Sequence, residues 1–84
     1  MPCTLTAFGI ATLIAAANTI PALKAAQVTV GLPYQITQGT DRCFATTFLS
    51  DGQVAVLGFK LQQDRIVWLQ LENLVSPPIS KGTP

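Results

Sequence analysis

The chain contains no histidine, only two cysteines, and nine charged side chains (five Lys or Arg, four Asp or Glu) in 84 residues. Without histidine, and with only Cys3 and Cys43 as thiols, the usual zinc ligand sets and every Ser-His or Cys-His arrangement are missing, so neither a metal nor a triad chemistry is expected. The formal net charge is +1 and no run of Lys or Arg occurs. The basic footprint that nucleic-acid binding requires is therefore absent, and no nucleic-acid partner is expected.

Charged residues make up 11% of the chain and hydrophobic residues 49%, where an ordinary soluble domain carries roughly 25% charged residues. The deficit is uneven. Lys24 is the only charged side chain among the first forty residues, and the remaining eight are spread from Asp41 to Lys81. Half of the molecule has almost nothing charged to present to water.

A length of 84 residues means one domain, near the size at which a single core only just outweighs the lost conformational entropy. Two cysteines are too few for a secreted disulfide scaffold, and two small buried thiols in a reducing compartment are the expected state. The alternative, a bridge between them, would close a loop of about 40 residues and contribute roughly 4 kcal/mol on the chain-entropy model.

What is present begins with an uncharged stretch, "MPCTLTAFGIATLIAAANTIPAL", from Met1 to Leu23. Its apolar part, Leu5 to Ala17, is about 13 residues, against the roughly 20 that a membrane span requires. A secretory signal would match the short apolar core and the small residues Ala15, Ala16 and Ala17, but the stretch has no Lys or Arg ahead of the core. The preferred expectation is a buried or partner-facing helix. Ile10, Leu13, Ile14 and Ala17 fall at i, i+3, i+4 and i+7, the alanines favour helix, and Asn18 with Pro21 supplies a stop or kink. The opposite side, with Ala7, Phe8, Ala11 and Ala15, is nearly as apolar, and a helix greasy all round normally needs cover on every side. Thr4, Thr6 and the Phe8/Ile10 pair also fit strand alternation, so periodicity leaves helix and strand open over residues 4–20.

The segment "QVTVGLPYQITQG" carries short β-like pieces, and three strand candidates follow: Arg42 to Leu49, Gln53 to Leu61 and Arg65 to Leu71. Asp51-Gly52 is a strong hairpin signal, and Gln63-Asp64 a weaker one. Taking both as two-residue loops sets Phe44 opposite Phe59 and Phe59 opposite Trp68. Phe48, Ala55, Leu57, Leu61 and Ile66 then share that face as a core. The other face carries Cys43, Ala45, Thr47, Leu49, Val54, Val56, Val67, Leu69 and Leu71, interrupted by Gly58 and Lys60. Such a sheet asks for cover on both sides.

The run "DGQVAVLGF", a short spacer and "RIVWLQLENLVSP" resembles the end of a small SH3-like barrel, and is similar to the SH3-like accessory subunits of photosynthetic electron-transfer complexes, such as subunit O of the NADH-dehydrogenase-like complex. The likeness covers about a third of the chain and rests on Val67, Trp68, Leu69, Leu71, Glu72 and Leu74. Those subunits open on a charged first strand, whereas this chain opens on an uncharged, helix-like segment. The resemblance implies a barrel that docks on something larger without catalysis of its own.

The resulting expectation is an α+β or mainly β chain: an apolar, helical segment at 1–27, a small antiparallel β domain (SH3-like barrel or meander) at 28–76, and a Pro-rich tail at 77–84. Candidates for chemistry are Asp41, Asp51, Asp64, Glu72, Lys60, Tyr34 and the two cysteines, Cys3 and Cys43. Asp51 and Asp64 read as turn formers, Glu72 as a solvated strand end, and Asp41-Arg42 as a surface pair. No two groups are arranged for acid–base work. Trp68, Phe44, Phe59 and Tyr34 are candidate contact aromatics, with Trp68 expected in the core. The expected function is a non-catalytic structural subunit that needs no cofactor. Its partners would be other protein subunits, of its own or another kind, in a multisubunit complex or a virion particle, intracellular or virion rather than secreted. Ile10, Leu13, Ile14, Val54, Val56, Val67 and Leu69 are the expected partner interface. The alternative is a membrane-attached or exported protein with residues 5–23 as anchor or signal.

Overall fold

Thr6, an N-cap residue with an extended backbone, accepts a hydrogen bond at Oγ1 from the Gly9 amide at 3.1 Å and so starts α1, Ala7–Ala17. A computed structural model describes residues 3–75 of the chain. The choice between helix and strand for the N-terminal segment thus falls to helix over these eleven residues. Only one stripe of α1 is buried, Gly9, Leu13 and Ala17, each one turn from the next, while Ala7, Phe8, Ala11 and Ala15 face outward.

Asn18 ends α1 and ties it to the sheet. Its amide nitrogen donates to the Ile14 carbonyl at 3.1 Å, and its Oδ1 accepts from the Val30 backbone N–H at 2.8 Å. Pro21 then opens a second short helix, α2 (Pro21–Ala25), at a first-turn position where its missing N–H costs nothing. Leu23 on α2 is buried in the same core as Leu13.

Four strands follow: β1 (Val30–Gln38), β2 (Cys43–Leu49), β3 (Val54–Gln62) and β4 (Arg65–Val75), paired antiparallel in the order β1-β2-β3-β4. The chain is therefore a small α+β fold, a four-stranded meander with a helix packed on one face. The segment read from sequence as short β-like pieces is one nine-residue edge strand, and its Pro33 is tolerated because an edge leaves one side of the ladder unpaired. The tail at 77–84 lies outside the described residues.

The register differs from the expected one by a single residue between β2 and β3. Leu49 and Gln53 pair, with the Leu49 N–H donating to the Gln53 carbonyl at 2.8 Å, so the loop is the three residues Ser50-Asp51-Gly52. Only Gly52 takes a positive φ, +90°, which makes this a turn with a glycine in the left-handed position and spares Asp51 the strain of a type I′ turn. Asp51 instead accepts the Gln53 N–H at Oδ1, 3.1 Å, inside the turn. Cys43, not Phe44, consequently lies opposite Phe59, and Phe44 faces Gly58.

Between β3 and β4 the two-residue loop does form, Gln63 and Asp64 both having positive φ (54° and 66°). A bulge after Leu61–Ile66 then leaves Val67 without a partner, so Lys60 pairs with Trp68 and Phe59 with Leu69. Both corrections act alike, because a slip of one residue turns every side chain beyond it to the other face. Phe44, Phe48 and Trp68 leave the expected core for the outer face. Cys43, Ala45, Thr47, Leu49, Leu69 and Leu71 turn inward.

The core thus joins Leu13, Ala17 and Leu23 of the helices to Ala45, Leu49, Ala55, Leu57 and Phe59 of the sheet. Burying a leucine or phenylalanine fully is worth about 1.5–3 kcal/mol, so these side chains carry most of the stabilisation available to a chain of this size. The expected free thiols are likewise corrected: Cys3 and Cys43 form a disulfide across a sequence separation of 40, Cα atoms 5.8 Å apart. The corrected β2 register is what points Cys43 inward, where it meets Cys3 of the segment that precedes α1. At the other end of that segment, Asp64 in the β3–β4 turn accepts the Thr6 hydroxyl at 2.6 Å. The segment that enters α1 is thus held at two points, Cys3 by β2 and Thr6 by the β3–β4 turn.

Candidate docking surface

With the helices on the inner face, the outer face of the sheet has no cover among the described residues. β2 presents Phe44, Thr46 and Phe48 to it, β3 presents Val54, Val56, Gly58 and Lys60, and β4 presents Trp68 and Gln70. These are the residues that alternation along each strand sends away from Ala45, Leu57 and Leu71. The result is one contiguous surface with two chemically distinct ends.

At the apolar end, Phe48 (54% exposed) pairs with Val54, which in turn pairs with Val75. Tyr34, the extra residue at an irregularity of β1, stacks on Phe48 with ring centroids 4.8 Å apart and planes at 25°. Leu32, on the same edge strand, is 72% exposed. These large apolar groups make this end of the face a candidate interaction surface.

At the other end Trp68 is flanked by two cations, Arg42 Cζ at 4.9 Å and Lys60 Nζ at 5.3 Å from the ring centroid. Arg42 also reaches Glu72 at 2.6 Å and Asp41 at 3.1 Å. Glu72 is the extra residue where the β3–β4 register shifts between Val56 and Leu57, and from β4 it reaches across β3 to the Arg42 guanidinium. Gly58 makes that crossing possible, because a Cβ at this position would collide with the Glu72 carboxylate. The hydrogen bond donated by Arg42 holds the Asp41 carboxyl below its ordinary pKa, and donation to Asp41 and then to Glu72 raises that of Arg42. A shallow cleft of about 280 Å³ opens beside this cluster, between the β1–β2 turn and Lys60. Arg42 at its mouth is already neutralised by two carboxylates.

The expected interface residues separate. Val54 and Val56 lie half-buried on the outer face, and Val67 stands exposed in the β4 bulge. Leu13 is fully buried in the core, Leu69 packs against it, and Ile10 and Ile14 are half-buried on the flanks of α1. Sequence reasoning missed Leu32 and assigned Phe48, Phe44 and Trp68 to the core; Ser50 ahead of Asp51-Gly52 was the signal, since it allows a three-residue loop that flips β2. The candidate groups for chemistry all have local partners: Asp51 with Gln53, Asp64 with Thr6, Asp41 and Glu72 with Arg42, Lys60 with Trp68, and Tyr34 with Phe48.

The edges of the sheet differ from its face. β1 carries Pro33 and two irregularities, and β4 two, features that blunt strand-to-strand pairing. Comparison with protein families, curated proteins and solved structures finds no match.

Proposed function

We propose that the protein is a non-catalytic structural subunit that docks into a larger protein assembly through the outer face of its sheet. The observation that carries this reading is a four-stranded sheet with one face filled by its own helices and the other left open with Phe44, Phe48, Val54, Val56 and Trp68 on it. Guarded edges direct a partner to the face. The SH3-like resemblance of residues 51–77 supports the same role, that of a small β module mounted on something larger, and the bulges that bend β4 are the device by which such a sheet curls. A formal charge of +1 argues for protein rather than nucleic-acid partners.

The disulfide bears on which assembly this is. Cross-links of this kind persist in oxidising surroundings, which favours a virion particle or an exported complex over a subunit that stays in a reducing cytosol. The membrane-attached reading has less support. No helix among the described residues is long and apolar enough to cross a membrane, and inserting residues 5–23 would strip Leu13 and Ala17 from the core.

Gradient fractionation of the native source tests the proposal. The chain should travel with a particle far heavier than its own 8.9 kDa, and Val56→Arg on the outer face should release it. Migration at its own mass, or a variant that stays in the particle, would overturn the reading.

A further inference from the structure

We infer that the Cys3–Cys43 bridge is a thiol-operated latch, cut by small thiols in the folded chain and then releasing the residues ahead of Thr6 from β2. The inference goes beyond the docking role and stands without it. Access, attachment and charge carry it.

The two cysteines are only 9% and 8% exposed, yet they stand in the walls of open clefts. Cys3 and Cys43 both line the cleft of about 280 Å³ beside the β1–β2 turn, and Cys3 also lines a second cleft of about 400 Å³ with Leu5, Ile10 and Ile36. The bridge is therefore within reach of a small solute without unfolding, and Cys3 is the half of it that both clefts reach.

Attachment decides what its loss would free. Among the described residues no hydrogen bond joins Cys3, Thr4 or Leu5 to the sheet, and the first that does is donated by Thr6 to Asp64. Thr4 is exposed and Leu5 half-buried. α1 is held by other means: Leu13 and Ala17 in the core, Thr6 on Asp64 at one end and Asn18 on Val30 at the other. Cutting the bridge thus frees a short flap and leaves the helix on the sheet. With Cys3 withdrawn, the two clefts join into one groove from Ile10 and Ile36 to Leu61.

The attacking species in thiol–disulfide exchange is an anion, the thiolate. Arg42, Lys60 and Asp41 line the first cleft; Arg42 is taken up by Asp41 and Glu72, while Lys60 forms no salt bridge among the described residues and is left to draw an anion in. The reductant is a monothiol. Its thiolate forms a bond to the Cys3 sulfur, the Cys3–Cys43 bond breaks, and the electron pair leaves on Cys43, which takes up a proton. A second thiolate attacks the mixed disulfide, releasing Cys3 to be protonated in turn and carrying away the two small thiols as one disulfide.

The test is the rate at which millimolar reduced glutathione cuts the bridge of the intact, oxidised chain, read by alkylation and mass spectrometry in buffer and in urea below the unfolding transition. Attack on the folded chain should change less than roughly twofold over about 2 M urea, whereas cleavage that waits for unfolding speeds up roughly thirtyfold over that range. In the reduced chain, backbone order parameters at Thr4 and Leu5 should fall below about 0.6, while those of Leu13 and Leu57 stay near about 0.85. A rate that climbs with urea as unfolding does would overturn the inference and make the bridge a structural staple. So would a reduced chain in which Leu13 and Leu57 lose order together with the flap, or one whose flap stays as rigid as before.

Discussion

The two faces of the sheet are built from similarly apolar strands and end up with different work. The inner face is made of small and aliphatic groups around one ring: Ala45, Ala55, Leu49, Leu57 and Phe59. α1 comes closest to the sheet at β4 and β1, and Gly9 leaves room there for the Asp64 carboxylate of the β3–β4 turn. The outer face carries rings with polar or cationic company, Tyr34 on Phe48 and Trp68 between Arg42 and Lys60. Such amphipathic side chains tolerate water until a partner displaces it, which is the composition of interfaces rather than of permanent cores. A chain this short cannot cover both faces, so it spends its helices on one.

The sharpest way to break this contrast is to release the clamp over the inner face. Reducing the Cys3–Cys43 bridge should lower unfolding stability by about 4 kcal/mol, the entropy of a loop of about 40 residues, read as a shift of the urea midpoint with and without reductant. A loss below about 1 kcal/mol would mean that the N-terminal segment is held by packing alone. Next in size is a matched pair. Leu13→Ala should cost about 2–5 kcal/mol as a core cavity, whereas Phe48→Ala on the outer face should cost less than about 0.5 kcal/mol measured under monomeric conditions. Equal costs would erase the distinction between the faces.

A smaller effect comes from a flaw in the inner face. Thr47 is fully buried, and its hydroxyl has no hydrogen-bond partner among the described residues. Thr47→Val keeps the shape and removes the stranded group, so it should stabilise the chain by about 1 kcal/mol in chemical denaturation. Destabilisation there would show that the hydroxyl is satisfied in solution.

The smallest effect is that of pH. Asp41, hydrogen-bonded by Arg42, and Asp51, hydrogen-bonded by the Gln53 side chain and amide, both have folded-state pKa values below their ordinary 3.8. Their contribution is complete above that ordinary value and is lost as pH falls through the lower folded-state values. Urea midpoints should therefore fall between pH 4 and pH 2 from these groups, only slightly because both side chains are exposed. Added salt should weaken the Asp41 part and spare the Asp51 part, whose partner is neutral.

Some of this was legible from residues alone. The i, i+3, i+4, i+7 spacing of Ile10, Leu13, Ile14 and Ala17 marks the helix, and Asn18 and Pro21 mark its stop, because these are local effects of backbone geometry and capping. Asp51-Gly52 and Gln63-Asp64 place the two hairpins for the same reason. The demand for cover on both sides of the sheet also follows from composition, since nine charges in 84 residues cannot dress both faces.

The tertiary structure alone decided which residues form which face. Alternation specifies a face only when one set of positions is polar, and here both sets are apolar, so the side chains of β2 read equally well in either sense. One residue more in the Ser50-Asp51-Gly52 loop and one bulge at Val67 then settled the matter, by details of loop length and register that no hydrophobic pattern records. The disulfide lay beyond sequence for a related reason. Cys3 and Cys43 stand 40 positions apart, and only the inward turn of β2 beneath the segment that precedes α1 brings their Cα atoms to 5.8 Å.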